Sequence, residues 1–474
     1  MKKYTGFILL TAIIILLILL KWTHLSLPYF WDEAWPYSTA VHMMYENGLS
    51  LFPGAIPFEI SRGHPLFFHF MSALGMKVFG SSITGSHIFP LVVSIALIVL
   101  MYVFCRKFFS EKVAIISCIL LAVQPVFIAQ ACLLLPEMLV AFLSLFTLYF
   151  FLTNKTAGYI ICGTLLLLTK ETGIVTILSC GLLQVIELLN MNRKEVTVKM
   201  VCRKMVVVIA PVIIPSLFFV VQKIKFGFFF LPLYTDADNF NSLVILEKLK
   251  NYSAYLFIYQ GRNAISALLI ISAVIFFFVR KKSWDSIHKK VVSLLSIFIV
   301  LYLAFSSANF YSPRYLLSIL VPFIVVSVFF FDAVFSERKV LYYSFFIVVA
   351  VVQVTFCLKR NHVSDHSLSY TDAIEVSKNM TDFCAKENLY SKNIYCSFLM
   401  HTYLTDKYAG YITDGKLFDK VQYSASEQTQ YYIQLSYEKD ELIEQLKAQK
   451  KIVRLLRFEK NYAWSEIYAV EKSN

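Results

Sequence analysis

The sequence predicts an α-helical polytopic membrane protein of about eleven transmembrane helices, with interfacial helices in its first outer loop and a small C-terminal soluble α/β domain. Three observations support this fold class. Of the 474 residues, 58% are hydrophobic and only 16% are charged, which is too little charge to cover the surface of a soluble protein. Apolar runs long enough to cross about 30 Å of hydrocarbon recur from Phe7 to Leu358. Beyond Leu358 the sequence becomes polar.

The apolar runs define the predicted transmembrane helices. Each run is mostly apolar and is separated from the next by charged or turn-forming residues. The predicted spans cover residues 6–21, 86–105, 113–129, 133–152, 156–169, 171–190, 205–222, 263–280, 291–308, 315–333 and 340–358.

Basic residues between the spans predict the topology, because cytoplasmic connections carry an excess of Lys and Arg. The opposite connections carry only Lys170 and Arg314 in their short loops. The N-terminus is therefore expected in the cytoplasm and the C-terminal region outside it, with a plasma or inner membrane favoured. The same distribution accounts for the net charge of +13 and argues against nucleic-acid binding. The predicted cytoplasmic basic residues are Lys2, Lys3, Arg106, Lys107, Lys112, Lys155, Arg193, Lys194, Lys199, Arg203, Lys204, Arg280, Lys281, Lys282, Lys289, Lys290, Arg338 and Lys339.

Two outer segments are long. The first runs from Trp22 to about Ser86 and contains two amphipathic stretches, Glu33–Asn47 and Pro65–Phe79, which are rich in aromatic residues and Met. Such stretches are typical of helices that lie on the membrane surface. The second segment, Lys223–Arg262, has a mixed pattern that predicts no particular structure.

The change in composition after the last span predicts two domains, a transmembrane catalytic domain over residues 1–360 and an extracytoplasmic domain over residues 361–474. The outer domain is expected to combine helices with strands, since its apolar residues alternate with polar ones in several short runs. The predicted helices cover residues 369–388 and 439–448, and the predicted strands cover 393–399, 431–435, 452–458 and 463–470.

Acidic residues lie at the outer ends of two predicted spans. Asp32 and Glu33 follow the first span by about ten residues, and Glu137 begins the fourth span. A carboxylate at the mouth of an apolar helix is costly, so residues in such positions are usually functional or paired. Helix capping by Asp32 or Glu137 is the structural alternative.

Basic residues converge on the same side. Lys170 and Glu171 interrupt an apolar stretch, Arg314 opens the tenth span, and Arg62 and His64 lie in the first outer segment. Here the structural alternatives are an ion pair between Lys170 and Glu171, and an Arg314 side chain that reaches lipid phosphate.

Carboxylates and cations together at this depth favour transfer of a sugar from a polyprenyl phosphate. The lipid tail reaches the site through the bilayer, and its phosphate lies at the interface. Lys170 and Arg314 can stabilise the charge that develops on the leaving phosphate, and Asp32 or Glu33 can deprotonate the acceptor hydroxyl. A single displacement of this kind inverts the anomeric carbon.

These residues stand in motifs that resemble those of a known group. The motifs are the Asp32-Glu33 pair, Gly63-His64-Pro65-Leu66, Leu135-Pro136-Glu137-Met138, Leu168-Thr169-Lys170-Glu171 and Pro313-Arg314-Tyr315-Leu316-Leu317. In their order along the chain and in their predicted side of the membrane, these motifs resemble those of the GT-C superfamily of membrane glycosyltransferases. The resemblance is nearest to the protein O-mannosyltransferases and the lipid A aminoarabinose transferases.

The resemblance implies a role for each residue. Asp32 would be the general base, Glu33 a supporting acid, and Glu137 a second carboxylate that orients the acceptor or a metal ion. Lys170 and Arg314 would bind the donor phosphate, and the substrate-binding set would extend to Arg62, His64 and Glu171. The sequence departs from the group at Gln130-Ala131-Cys132, where relatives often carry Arg, and after His64, where a Pro pair is common.

Two other classes of function, a transporter and a scaffold, are alternatives for a polytopic membrane protein. A glycolipid transporter or flippase would be expected to show internal repeats, broken helix pairs and charges near the bilayer midplane. A membrane scaffold that presents the outer domain would leave the shared position of the charged residues unexplained. The sequence leaves open whether the transferred sugar is a hexose or a pentose, whether the acceptor is a glycolipid, a protein or an envelope polymer, and whether a divalent metal ion takes part.

Overall fold

The computed structural model describes residues 5–192, 196–231, 241–279, 285–309 and 312–471. Within these ranges the chain is mostly helical, and one five-stranded sheet lies towards the C-terminal end. Some residues used in the topology and loop predictions lie outside the described ranges, namely Lys2, Lys3, Arg193, Lys194, Arg280, Lys281, Lys282 and residues 232–240.

The helices up to Leu358 form the part of the chain that the sequence predicts to lie in or against the membrane. In chain order they are α1 (Thr5–Lys21), α2 (Tyr37–Asn47), α3 (Phe58–Ser61), α4 (Phe67–Phe79), α5 (Ile83–Phe108), α6 (Glu111–Ala122), α7 (Pro125–Gln130), α8 (Glu137–Leu152), α9 (Thr156–Thr169), α10 (Ile174–Leu189), α11 (Val198–Ile209), α12 (Ile213–Phe226), α13 (Ser242–Phe257), α14 (Arg262–Val274), α15 (Ser286–Ser307), α16 (Leu317–Phe335) and α17 (Lys339–Leu358).

Among the described residues, 8 helical segments are long and apolar enough to cross a membrane. Each of them coincides with a predicted span. The predicted spans at 133–152 and 156–169 coincide with shorter apolar helices, α8 and α9. The predicted fold class is therefore confirmed, while the count of eleven spans stays a prediction.

Prolines account for two differences from the predicted spans. The predicted span 113–129 is divided between α6 and α7 at Pro125, and Gln124 before it is extended, with φ −76° and ψ 130°. The fourth span begins only after Pro136, so that Glu137 is the first residue of α8. Proline disfavours helical backbone in the residue before it and is well tolerated at a helix start. Pro136 thus places Glu137 in the first turn of α8.

The amphipathic stretches of the first outer segment form α2 and α4. These two helices pack against each other, and α4 also packs against α5. Their buried sides include Val41 and Met44 on α2 and Ala73 and Met76 on α4. The first predicted outer segment is therefore a layer of helices that pack against one another and against α5.

The C-terminal part contains a five-stranded sheet with the strand order β2-β1-β3-β5-β4. Strand β1 is parallel to β2 and β3, whereas β3, β5 and β4 are antiparallel. Helix α18 packs on β4 and β5. The elements are α18 (Tyr370–Lys386), β1 (Ile394–Cys396), α19 (Phe398–Thr405), β2 (Val421–Gln422), β3 (Tyr431–Leu435), α20 (Glu441–Ala448), β4 (Ile452–Lys460) and β5 (Ala463–Val470).

The predicted strand 393–399 is wrong at its C-terminal end, because β1 ends at Cys396 and α19 begins at Phe398. Glu438, which is distant in sequence, accepts a hydrogen bond from the backbone nitrogen of Leu399 at 2.9 Å. This contact satisfies one of the free N–H groups in the first turn of α19. A carboxylate supplied from another part of the chain therefore stabilises a helix start that the local apolar pattern conceals.

The outer sheet region sits on the first outer segment. The backbone nitrogen of Tyr29 donates to the carbonyl of Ala409 at 3.2 Å. The Thr39 hydroxyl donates to Asp406 at 2.8 Å, and the buried Lys21 ammonium lies 3.3 Å from the Tyr370 hydroxyl. These contacts hold the sheet region against the loop that carries Asp32.

Candidate active site

Arg314 stands at the centre of a cluster of carboxylates. It lies in the 3-10 turn Pro313–Leu316 that precedes α16, and its side chain is only 5% exposed. Its Nη2 donates to Asp32 and its Nη1 donates to Asp365. Its Nε lies 3.5 Å from Glu137 Oε1. Three carboxylates from distant parts of the sequence thus share one guanidinium group.

Glu137 joins this cluster to a second cation. Lys170 follows α9 in extended backbone, and its Nζ donates to Glu137 Oε1 at 3.0 Å. The same ammonium lies 3.9 Å from the centre of the Tyr315 ring, which is a cation–π distance. Because Glu137 opens α8, its negative charge is also favoured by the helix dipole.

Asp32 and Glu33 are neighbours in the 3-10 turn Trp31–Glu33, but they face different surroundings. The Asp32 side chain is 39% exposed, whereas Glu33 is fully buried. The Glu33 carboxylate accepts hydrogen bonds from the backbone nitrogens of Phe30 at 3.2 Å and Leu134 at 2.5 Å. Glu33 therefore anchors the turn from inside the protein, and Asp32 presents its carboxylate to the cluster.

His87 is the third partner of Glu33. Its Nε2 lies 2.7 Å from Glu33 Oε1, and its Nδ1 lies 2.9 Å from the carbonyl oxygen of Leu25. Because a carbonyl oxygen only accepts, Nδ1 is the ring nitrogen that donates to Leu25. This pair connects the first outer loop to α5.

Asp365 is the member of the cluster that sequence reasoning missed. It lies in the connection between α17 and α18, and its backbone carbonyl accepts a hydrogen bond from Gln130 at 2.7 Å. Burial alone would raise the pKa of Asp365, but the Arg314 guanidinium and the His366 side chain together outweigh this effect and hold the pKa below its ordinary value. Its place shortly after the last predicted span, on the predicted outer side, was the signal available in the sequence.

A cavity of about 460 Å³ adjoins the cluster. Lys170 and Tyr315 line it on one side, and His64 and Glu171 contribute further polar groups. Most of the remaining lining is apolar and comes from α9, α10, α12 and α15, for example Leu167, Ile174, Phe219 and Phe305. The cavity thus combines a buried ammonium group with apolar walls formed by predicted transmembrane helices.

The remaining predicted residues lie beside this cavity or near the Asp32 turn. His64 Nδ1 is 2.9 Å from Glu171 Oε2. The carboxylate that accepts a hydrogen bond from Lys170 is that of Glu137, not that of its chain neighbour Glu171. Arg62 has left-handed backbone, with φ 56°, and its guanidinium lies 5.7 Å from the centre of the Trp35 ring.

The structure brings Asp32, Glu137, Lys170 and Arg314 into one network and adds Asp365. Glu33 lies beneath the network, while His64 and Glu171 lie along the cavity. In the part of the chain that the structure describes, no group of three or more His, Cys, Asp or Glu side chains has an arrangement that could hold a metal ion. The carboxylates of the network surround the guanidinium group of Arg314.

Residues 63–219 match the family described as dolichyl-phosphate-mannose-protein mannosyltransferase. This match covers less than half of the chain, and it includes His64, Glu137, Lys170 and Glu171. No curated protein sequence matches the chain significantly.

Solved structures extend the likeness to nearly the whole chain. ArnT from Cupriavidus metallidurans in the apo state has a TM-score of 0.56 and 11% sequence identity, with 98% of each chain covered. The same protein bound to undecaprenyl phosphate has a TM-score of 0.55 and 12% identity, with 99% of each chain covered. The chain therefore has the ArnT fold, and the resemblance drawn from the motifs is confirmed.

Proposed function

We propose that this protein transfers a sugar from a polyprenyl-phosphate-linked donor to an acceptor hydroxyl group on the non-cytoplasmic side of the membrane. One observation carries the proposal: the buried Lys170 ammonium, linked through Glu137 and Arg314 to Asp32, faces an apolar cavity of about 460 Å³. The ArnT structure bound to undecaprenyl phosphate and the family name, which includes dolichyl phosphate mannose, support the same donor class.

The cavity suits both parts of such a donor. Its apolar walls can contact the isoprenoid chain, and Lys170 can bind the phosphate. Only one hydrogen of the ammonium group is needed for Glu137, so others remain for phosphate oxygens. In a low-dielectric site this charge-assisted contact is much stronger than it would be in water.

Arg314 contributes differently from Lys170. Its three nitrogen atoms face Asp32, Asp365 and Glu137, whereas Lys170 lines the cavity. We assign direct phosphate binding to Lys170. Arg314 adds a second positive charge to the donor site and holds the carboxylates in place.

Asp32 is the proposed general base, because it is the most exposed carboxylate of the cluster. It accepts the proton of the acceptor hydroxyl while the hydroxyl oxygen bonds to the anomeric carbon. The bond between that carbon and the phosphate oxygen breaks in the same step, and the polyprenyl phosphate leaves with the negative charge. Lys170 and Arg314 stabilise this charge, and the single displacement inverts the anomeric carbon.

The first test measures donor binding. Purified protein is mixed with undecaprenyl phosphate, and native mass spectrometry records the bound lipid. Lys170→Ala should lower the apparent affinity about tenfold or more, as expected for a lost charge-assisted contact. Lys290→Ala is the matched control, because Lys290 also pairs with a glutamate, Glu187, at 2.8 Å. Equal binding by the wild-type protein and Lys170→Ala would contradict the assigned phosphate contact.

The second test separates a transferase from a glycolipid transporter. Protein is reconstituted into sealed vesicles that contain polyprenyl-phosphate sugars and a membrane lipid extract as the acceptor source. A transferase produces free polyprenyl phosphate and a glycosylated acceptor in equal amounts. Movement of the glycolipid across the bilayer without a covalent product would instead establish the transporter.

A further inference from the structure

Trp31, the residue before Asp32, has a backbone conformation that is unfavourable for a bulky side chain. Its φ is 53°, in the left-handed region, and it opens the 3-10 turn Trp31–Glu33. Such backbone is costly at a non-glycine residue and persists only where the surroundings enforce it. Because Asp32 follows directly in the chain, the position of its carboxylate depends on the contacts that enforce the conformation of Trp31.

Hydrogen bonds fix the end of this turn at Glu33. Its carboxylate accepts from the backbone nitrogen of Leu134, and its own backbone nitrogen donates to the carbonyl of Phe30 at 3.0 Å. The backbone nitrogen of Trp35 donates to the carbonyl of Trp31 at 3.1 Å. These contacts involve the Glu33 carboxylate and the backbone. The conformation of Trp31 has a further source in the packing of its ring.

Tyr437 packs on the rings of both residues that precede Asp32. It belongs to the C-terminal sheet region, residues 370–470, and follows the end of β3 by two residues. Its ring centre lies 5.7 Å from that of Phe30, in an edge-to-face arrangement, and 6.0 Å from that of Trp31. Both distances lie in the range of favourable aromatic pairs. A residue distant in sequence therefore supports the strained start of the turn.

The Tyr437 ring is itself fixed in place. Its hydroxyl shares a hydrogen bond of 2.7 Å with the hydroxyl of Ser377 on α18. Ser377 is fully buried, and α18 packs on β4 and β5. The position of the ring is therefore set by the core of the C-terminal sheet region, and a ring held in this way can support strained backbone in a neighbouring turn.

Further contacts place the same region on both sides of Asp32 in the chain. Before it, the backbone nitrogen of Tyr29 donates to the carbonyl of Ala409 at 3.2 Å. After it, the ring centre of Trp35 lies 5.1 Å from that of Phe398. The C-terminal sheet region thus contacts the segment that carries Asp32 at its beginning, at the turn and at its end.

We infer that the C-terminal sheet region is part of the catalytic unit and that Tyr437 is a positioning residue for Asp32. This inference rests on the proposed function, in which Asp32 is the general base. The Tyr437 ring holds Trp31 in its left-handed conformation and so keeps the Asp32 carboxylate at Arg314. Without this ring, Trp31 relaxes to an ordinary negative φ and the carboxylate is displaced. Displacement of a reacting group by roughly 1 Å can lower a rate about 10²-fold.

Donor binding provides an internal reference for this role. The residues that line the cavity of about 460 Å³ lie between His64 and Tyr315 in the chain, and the proposed phosphate contact is Lys170. Because Tyr437 acts through Asp32, its loss should lower turnover and leave donor affinity unchanged. A general loss of structure would instead lower both.

Two substitutions at Tyr437 separate the ring from the hydroxyl. Tyr437→Leu removes the ring and keeps an apolar side chain, whereas Tyr437→Phe keeps the ring. The full chain is reconstituted in vesicles with polyprenyl-phosphate sugars at saturation and a membrane lipid extract, and release of polyprenyl phosphate gives the turnover. Tyr437→Leu should lower turnover about tenfold or more, with retention of undecaprenyl phosphate in native mass spectra unchanged. Tyr437→Phe should restore turnover to near the wild-type value.

Tyr390→Leu is the matched control. Tyr390 also lies in the C-terminal sheet region, its ring stacks on that of Phe418 at 4.7 Å, and its hydroxyl donates to Asp414. The substitution removes a packed tyrosine of the same region that contacts other partners than the Asp32 turn. Its turnover should stay close to that of the wild-type protein.

Hydrogen exchange examines the turn without relying on activity. Amide exchange is recorded by mass spectrometry for peptides over residues 29–36 and over residues 166–174. Tyr437→Leu should accelerate exchange over residues 29–36 about tenfold, because two aromatic contacts that oppose local opening are lost. Exchange over residues 166–174, which include Lys170, should not change.

The outcomes separate this inference from the proposed function. With an active wild-type protein, unchanged turnover in Tyr437→Leu, unchanged exchange over residues 29–36, or a parallel loss of undecaprenyl phosphate retention would each overturn the inference and leave the proposed function standing. A wild-type protein that releases no polyprenyl phosphate would refute the proposed function and, with it, the catalytic role of Tyr437. The exchange result would still decide whether Tyr437 holds the Asp32 turn.

Discussion

Asp32 and Glu33 are consecutive acids in one turn, yet the structure gives them opposite surroundings. Glu33 is fully buried, accepts hydrogen bonds from two backbone nitrogens, and lies 2.7 Å from His87 Nε2. Asp32 is partly exposed and shares the Arg314 guanidinium with Asp365 and Glu137. The more buried acid therefore positions the turn, while the more accessible acid is suited to exchange a proton with a substrate.

The largest expected effect is on catalysis at Asp32. Asp32→Asn keeps the shape of the side chain and removes its ability to accept a proton. Product formation should fall about 10²–10⁴-fold, the usual contribution of a general base, while the melting temperature stays close to that of the wild-type protein. Chromatographic detection of released polyprenyl phosphate measures the rate. A rate near that of the wild-type protein would remove Asp32 from this role.

The matching change at Glu33 should act on stability. Glu33→Gln breaks a buried pair with His87 and places amide hydrogens among groups that donate. We expect a loss of about 3–5 kcal/mol in the free energy of unfolding. Thermal melting of the purified protein checks this, with Asp32→Asn as the comparison. If Glu33→Gln were as stable as the wild-type protein but inactive, Glu33 would belong to the chemistry rather than to the anchor.

Asp365 should show a smaller effect on stability and a defined pH dependence. Folding lowers the pKa of Asp365. Its ion pair with Arg314 therefore stabilises the protein fully above the pKa of the unfolded state, near pH 4. This contribution is lost as the pH falls towards and through the pKa of the folded state. Asp365→Asn should cost about 1.5–3 kcal/mol at pH 7. Melting curves from pH 7 down to pH 3 should show the difference between variant and wild-type protein shrinking only below about pH 4. A difference that grows towards acid would contradict the ion pair.

The smallest effect is expected at His64. Its contact with Glu171 is partly exposed, and both residues line the cavity of about 460 Å³. Ion pairs of this kind contribute about 0.2–1 kcal/mol, so His64→Ala should weaken undecaprenyl phosphate binding at most about fivefold. Native mass spectrometry compares it with Lys170→Ala under the same conditions. A larger loss at His64 than at Lys170 would move the phosphate contact to His64.

Much of the architecture was predictable because it depends on local composition. Apolar runs indicated the helices that are long enough to span a membrane, and the charged residues on the predicted outer side included Asp32, Glu137, Lys170 and Arg314. Pro125 and Pro136 mark the starts of α7 and α8, which the predicted spans placed wrongly.

Other features depend on contacts between distant residues. The burial of Glu33 follows from its partners His87 and Leu134, and the helix start at Phe398 is stabilised by Glu438. The position of Asp365 follows from Arg314 and Gln130. A single sequence contains the residues of these contacts but not their proximity.

A structure determined with undecaprenyl phosphate bound would show whether Lys170 contacts the donor phosphate. We expect the isoprenoid chain in the cavity lined by α10, α12 and α15, with a phosphate oxygen roughly 3 Å from Lys170 Nζ. Phosphate density away from Lys170, with the isoprenoid chain outside this cavity, would contradict it.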